Sequence, residues 1–225
     1  MAIYDVGEQF LRNPGWLVAI DTSSDRAGVA LFDGERANVI AWNAHRNHTV
    51  DTLRQVDHLL RLAGLELADL SGIAVATGPG SFSALRVGLS IGKGLAFAQG
   101  LPLVGVPTTD AIAATVAWAG RPVIAVMTAG RGRVVWTRYL NGLSQAGPRN
   151  TSVEELRAVV APGDLVTGEV DLLQGVDVIP VVMGARVEQV ARIGWRRLQA
   201  GEADDASRLE PIYAHGRRAK DSVPA

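Results

Sequence analysis

The sequence predicts an α/β fold on a mixed β-sheet, and two stretches carry the prediction. In the first, "WLVAID" (16–21) is a short apolar run stopped by polar "TSSD", and "RAGVALFDGERANVIAW" follows as two more strands around Asp33-Gly34. That dipeptide suits a tight hairpin because both central residues of such a turn need positive φ. The three strands therefore form an antiparallel meander. In the second stretch, the strand-like "SGIAVAT" (71–77) leads through a helix ending near Gly100 into "LPLVGV" (101–106). A strand–helix–strand crossover of that length pairs its strands in parallel.

The other elements follow in order. Residues 1–14 read as an arm ending in the turn cluster Asn13-Pro14-Gly15. Thr49 is placed to cap a helix over 49–63, with Val50, Leu53, Val56, Leu60 and Ala63 on helical spacing, Asp51 in its first turn and Gly64 at its end. Beyond residue 106 the rhythm repeats more weakly. A helix is expected over 108–119, strands near 122–128 and 132–140, and a helix from Thr151 with Glu154 placed for a capping box. Strands near 165–167 and 176–182 and a long helix over 184–200 complete the order. The expected division is an N-terminal lobe over 15–106, a C-terminal lobe over 107–213 and a loose tail over 214–225.

Composition narrows the function classes. Apolar residues make up 48% of the 225 and charged residues 20%, a mix that folds into a sizeable core. No apolar run reaches the length of a membrane span, and the N-terminus has no apolar leader core. The absence of cysteine removes disulfides, thiolate metal sites and cysteine nucleophiles, and fits a reducing cytoplasm. A net charge of −1 gives no global attraction to nucleic acid. Locally, however, Ala111–Val153 has no acidic residue and five arginines: Arg121, Arg131, Arg133, Arg138 and Arg149. This stretch is either a solvated face balanced from elsewhere or a basic surface for an acidic partner or an RNA backbone.

The helix in "TGPGSFSALRVGLSIGKGLA" (77–96) carries Gly88, Gly92 and Gly94 in its interior. Each glycine costs about 1 kcal/mol against alanine. Ala84, Gly88, Gly92 and Ala96 recur every four residues, a ridge reduced to a trough in which another element can lie unusually close. That element is the chain's own sheet, the helix over 49–63, or another protein. The preceding Gly78-Pro79-Gly80-Ser81 turn enters the helix where its free amides and a Ser81 cap could hold an anion. With Asp21 and Thr22 after the first strand, these residues form a candidate phosphate site. A Walker lysine is missing, since Lys93 lies three turns on. Asp21 and Asp25 could act on a phosphate through a magnesium-bound water, or serve only in turns. His45 and His48 lack a third ligand at zinc spacing, and neither a GxSxG elbow nor an HExxH motif occurs.

"LVAIDTSSDRAGVALFDG", "RNHTVDTL" and "GIAVATGPGSFSALRVGLSIGKGLAFAQGLPLVGVPT" together resemble the TsaB (YeaZ) family, strongly over about residues 16–109 and loosely beyond, in "VVWTRY" and "EPIY". The resemblance implies a two-lobed actin-like, Hsp70-like, sugar-kinase-like (ASKHA) fold with a mixed sheet in each lobe. It also implies a non-catalytic cytoplasmic subunit in the synthesis of N6-threonylcarbamoyladenosine at position 37 of tRNA. The implied partners are the catalytic TsaD, or a second copy, and the ATPase TsaE, with tRNA contacted only within the complex. No tightly bound cofactor is implied, only an adenine nucleotide near the TsaD junction. Pairing in the family uses the two N-lobe helices, which map here to about 49–63 and 81–99. Val50, Leu53, Leu60, Phe82, Ala84, Leu85, Gly88, Gly92 and Ala96 are then the expected interface. The chain departs from the family pattern at Ser83-Ala84, at Thr128-Ala129-Gly130, at Arg133 and at Ala214-His215. The rival reading is a stand-alone nucleotide hydrolase or small-molecule kinase using Asp21 and Asp25.

Overall fold

The computed structural model describes residue 10 and residues 15–44, 48–169 and 178–213. The expected arm (Phe10 apart), the tail, His45 and His215 lie outside the described residues, as does the side chain of His48. The first sheet has the order β3-β2-β1-β4-β5, from β1 (Trp16–Asp21), β2 (Arg26–Phe32), β3 (Ala37–Asn43), β4 (Leu70–Gly78) and β5 (Leu103–Pro107). The meander is antiparallel and the β1–β4–β5 side parallel, as the sequence predicts. Asp33 closes the β2–β3 turn by accepting the amides of Glu35 and Arg36. The turn is the loop 33–36 between Phe32 and Ala37, and only Gly34 in it is at positive φ, so it is not the tight hairpin with two positive-φ residues that the sequence predicts.

The second sheet repeats this plan. β6 (Val123–Thr128) pairs antiparallel with β7 (Arg133–Leu140) and parallel with β10 (Leu165–Gly168), which carries β11 (Val178–Pro180). The short β8 (Leu143–Ser144) and β9 (Arg149–Ser152) both lie along β7.

Alternation along the strands feeds a core on each sheet face. On one face of the first sheet, Val18, Ile20, Val29, Leu31, Ile73 and Val75 meet α1 (His48–Ala63) and α2 (Phe82–Gln99). Leu17, Ala19, Phe32, Ala74 and Val104 point the other way. They meet α5 (Met183–Gln199) through Val187, Val190, Ala191, Trp195 and Leu198. The strands of the two sheets thus divide between Pro107 and Val123, but the last helix of the second half returns to cover the first sheet. It can lie that close because Gly194 faces Ala74, where any Cβ would meet the alanine methyl at 2.5 Å.

Two shorter helices serve the second sheet. α3 (Thr108–Ala114) inserts between the sheets, giving Ala111 to the first core and Ile112 and Ala113 to the second. It ends earlier than the sequence predicts, and a separate single turn covers Ala117–Ala119. The Tyr139 hydroxyl donates to Asp110 at this junction, and burial raises the pKa of both groups above their ordinary values. α4 (Val153–Val159) covers the outer face with Val153 and Leu156. Its capping box is Ser152 with Glu155, one residue later than Thr151 with Glu154. Ser152 Oγ accepts the Glu155 amide at 3.1 Å, and Glu155 Oε2 accepts the Ser152 amide at 2.7 Å. Replacing Ser152 by alanine is expected to lower stability by about 1 kcal/mol in urea unfolding.

Candidate functional site

Between the lobes lies a cleft of about 840 Å³, framed by the β1–β2 turn, the Gly80-Ser81 turn, the start of the β6–β7 turn, Glu169 and the first turn of α5. Of the predicted phosphate-site residues, Gly80 and Ser81 line this cleft and Asp21 does not. Asp21 ends β1 with its side chain fully buried, and its carboxylate is already occupied. Arg186 donates to it from Nε at 2.8 Å and from Nη2 at 3.3 Å, and Ser23 donates both its amide at 2.9 Å and its hydroxyl at 2.7 Å. Arg186 is only 3% exposed, and its remaining donors reach Ser24 Oγ and the Met127 sulfur. The carboxylate accepts three hydrogen bonds at Oδ1 and one at Oδ2, and the buried guanidinium neutralises its charge, which weakens it as a ligand for a metal-bound water.

Thr22 and the amides of Gly78 and Ser81 are also used internally. Thr22 Oγ1 donates to the Ala84 carbonyl at 2.6 Å and accepts the Gly88 amide at 3.1 Å. The Gly78 amide donates to Thr108 Oγ1 at 3.1 Å. The Ser81 amide donates to the Ser23 carbonyl at 2.7 Å, and that carbonyl occupies the space a Cβ on Gly80 would need. Ser81 is the N-cap residue, but its hydroxyl makes no capping bond. The Gly-Pro-Gly turn therefore allows close approach of the chain to itself, with Gly80 and Ser81 on the cleft wall. Asp25 stays exposed at the cleft rim, apart from Asp21. Across the cleft, Glu169 takes the Thr128 amide at 2.9 Å and the Thr128 hydroxyl. No group of three or more potential metal ligands occurs among the described residues.

Sequence reasoning missed Arg186. The signal was a lone cation on the apolar stripe of the last helix, between Met183 and Val187. A charge placed there needs a buried counter-ion.

The trough predicted as a partner surface faces the chain's own sheet. Ala84, Leu85, Gly88, Gly92 and Ala96 are buried, and so is Leu60 of α1. A Cβ on Gly88 would overlap Thr22 Oγ1, and one on Gly92 would overlap Val75 Cγ1. The small residues let α2 press on the chain's own sheet. The outward face of the helix pair is different: Val50 and Leu53 are about half exposed, and Leu62 and Phe82 more so. Phe97 is 92% exposed, and a Cβ added to the exposed Gly94 would meet nothing within 4 Å. Of the predicted interface residues, Val50, Leu53 and Phe82 therefore point outward. Phe82 stacks on Tyr213 at 4.8 Å, with the Arg86 guanidinium over its ring.

Two sheets of matching strand order, helices on their faces and a cleft between them define a protein of the actin-like ASKHA class. A family model described as "TsaD: tRNA N6-adenosine threonylcarbamoyltransferase" matches residues 38–176. Among curated proteins, "tRNA threonylcarbamoyladenosine biosynthesis protein TsaB" of Escherichia coli is 34% identical over 152 residues, 65% of this chain and 62% of that protein. The protein of the same name from Haemophilus influenzae is 39% identical over 98 residues, 43% of this chain and 41% of its own length. The solved structure "YeaZ from Pseudomonas aeruginosa" superposes with a TM-score of 0.74 at 25% identity, covering 88% of this chain and 99% of that one. The chain belongs to the TsaB/YeaZ family, within the wider family that the TsaD model describes.

Proposed function

We propose that this chain is the TsaB subunit of the machinery that forms threonylcarbamoyladenosine on tRNA, working in the cytoplasm and performing no transfer chemistry itself. The observation that carries the non-catalytic reading is the buried Asp21–Arg186 pair. It engages the carboxylate that the hydrolase or kinase chemistry would need. The same pair weighs against the hydrolase or kinase reading, which loses its better-placed carboxylate. With Asp21, Thr22 and the Ser81 amide engaged within the chain, an adenine nucleotide in the complex would be held at the junction with a partner.

The subunit would act by supporting a TsaD-like protein through the outward faces of α1 and α2. Val50, Leu53 and Phe97 give that surface large apolar side chains, and Gly94 gives it a point of close approach. Aromatic anchors beside small residues suit a well-packed interface core. A TsaE-like ATPase would join the pair, and a second copy of this chain would take the TsaD position when TsaD is absent. The test is size-exclusion chromatography with a TsaD-like partner, followed by an assay for the modified nucleoside. A stable complex is expected, and Leu53→Asp with Phe97→Asp should abolish it while circular dichroism stays unchanged. ATP turnover by the chain alone, lost on Asp21→Asn, would overturn the reading.

A further inference from the structure

The fold accounts for two of the five arginines of the acid-free stretch. Arg138 pairs with Asp164 at 2.6 Å, and Arg121 donates to the carbonyls of Gly163 and Asp164. The other three have no carboxylate partner among the described residues. Arg131 stands exposed at the tip of the β6–β7 turn, where Gly130, Arg131 and Gly132 are all at positive φ. Arg133 donates from Nε and Nη2 to the side chain and carbonyl of Asn150, at 2.7 and 2.8 Å. Arg149 lies with its guanidinium 5.3 Å over the Trp136 ring, and Trp136 Nε1 donates to Thr151. Neutral partners of this kind orient a guanidinium without cancelling its charge.

The three are also spatially organised. Arg133 is opposite Ser152 and Arg149 is opposite Trp136 in the β7–β9 ladder, about 10 Å apart along the strands. Strand alternation puts them on opposite faces of this edge, with Arg131 just beyond its end. Of the two carboxylates that follow in sequence, Glu155 is engaged by the Ser152 amide and Glu154 opens α4.

We propose that this edge, the β6–β7 tip with β9, contacts the sugar–phosphate backbone of RNA. Every cation in the stretch is arginine, whose planar fork matches phosphate oxygens. All four residues of β9 are polar, with Arg149 exposed and the rest half-buried, and Trp136 is buried, so the edge lacks the aromatic centre of a protein interface. α1 and α2 pack on the first sheet, so a partner docked on them leaves this edge of the second sheet open. The choice of RNA over another polyanion rests on the tRNA-modification reading above.

The experiment titrates an unmodified tRNA transcript with the full chain, alone and paired with a TsaD-like subunit, by fluorescence anisotropy at stepped salt. Arg131→Glu with Arg149→Glu should weaken binding about tenfold or more and flatten the log–log salt slope by roughly 1.4, for two phosphate contacts. Arg131→Lys with Arg149→Lys should keep the slope, and all variants should still pair with TsaD. An unchanged affinity and slope in the double reversal overturns the proposal. So does competition by polyglutamate as effective as competition by RNA, which would assign the edge to an acidic protein. If pairing with TsaD fails while the slope still responds, the TsaB reading falls and the RNA edge stands.

Discussion

Replacing Arg186 by alanine is expected to destabilise the fold by about 3–5 kcal/mol, among the largest effects of any single change in the chain. The reason is asymmetry. With Arg186 gone, the Asp21 carboxylate stays fully buried at the end of β1, held only by Ser23. Removing both charges together should behave differently. Asp21→Asn with Arg186→Met keeps the volume, leaves no orphan charge, and is expected to recover most of the loss. Urea unfolding of the two single variants and the double variant measures the coupling. If Arg186→Ala is nearly neutral, the pair is not closed in solution, and Asp21 becomes available for chemistry again.

The strands were legible because their signals are local. β1, β2, β4 and β5 are short apolar runs between turn residues, and the Asp33-Gly34 turn and the crossover set their pairing. The α4 start was ambiguous by one residue because "TSVEE" contains two overlapping capping boxes, and only packing selects Ser152. The partner of α5 was not legible at all. Its apolar stripe says that it is buried, not on which sheet, and the Asp21–Arg186 contact joins residues 165 apart in sequence. Every group of the phosphate-site candidate has the right chemistry, but whether a donor is free depends on which carbonyl folds onto it. Ser23 does so for Ser81, and nothing in "TSSD" announces it.

Gly88→Leu and Gly94→Leu, one side chain added on opposite sides of one helix, should give opposite results. Gly88 faces Thr22, whose hydroxyl lies where a Cβ would go and also holds the Ala84 carbonyl and the Gly88 amide. Leucine there must push α2 off β1, at a cost of about 3 kcal/mol or more. The variant should fail to fold before pairing can be measured. This reverses the expectation of a trough open to a partner. Its small residues lie beside Leu85 and Leu89, which are also buried, while Arg86, Ser90 and the 92%-exposed Phe97 mark the outer side. Gly94 is on that outer side with open space around it. Leucine there removes a flexible residue from a helix interior and should add roughly 0.5–1 kcal/mol of stability. It should still block the approach of a partner helix. Thermal unfolding and size-exclusion chromatography with a TsaD-like protein read both effects. A folded but unpaired Gly88→Leu would restore the trough as the interface, and a Gly94→Leu that pairs normally would remove the outer face of α2 from it.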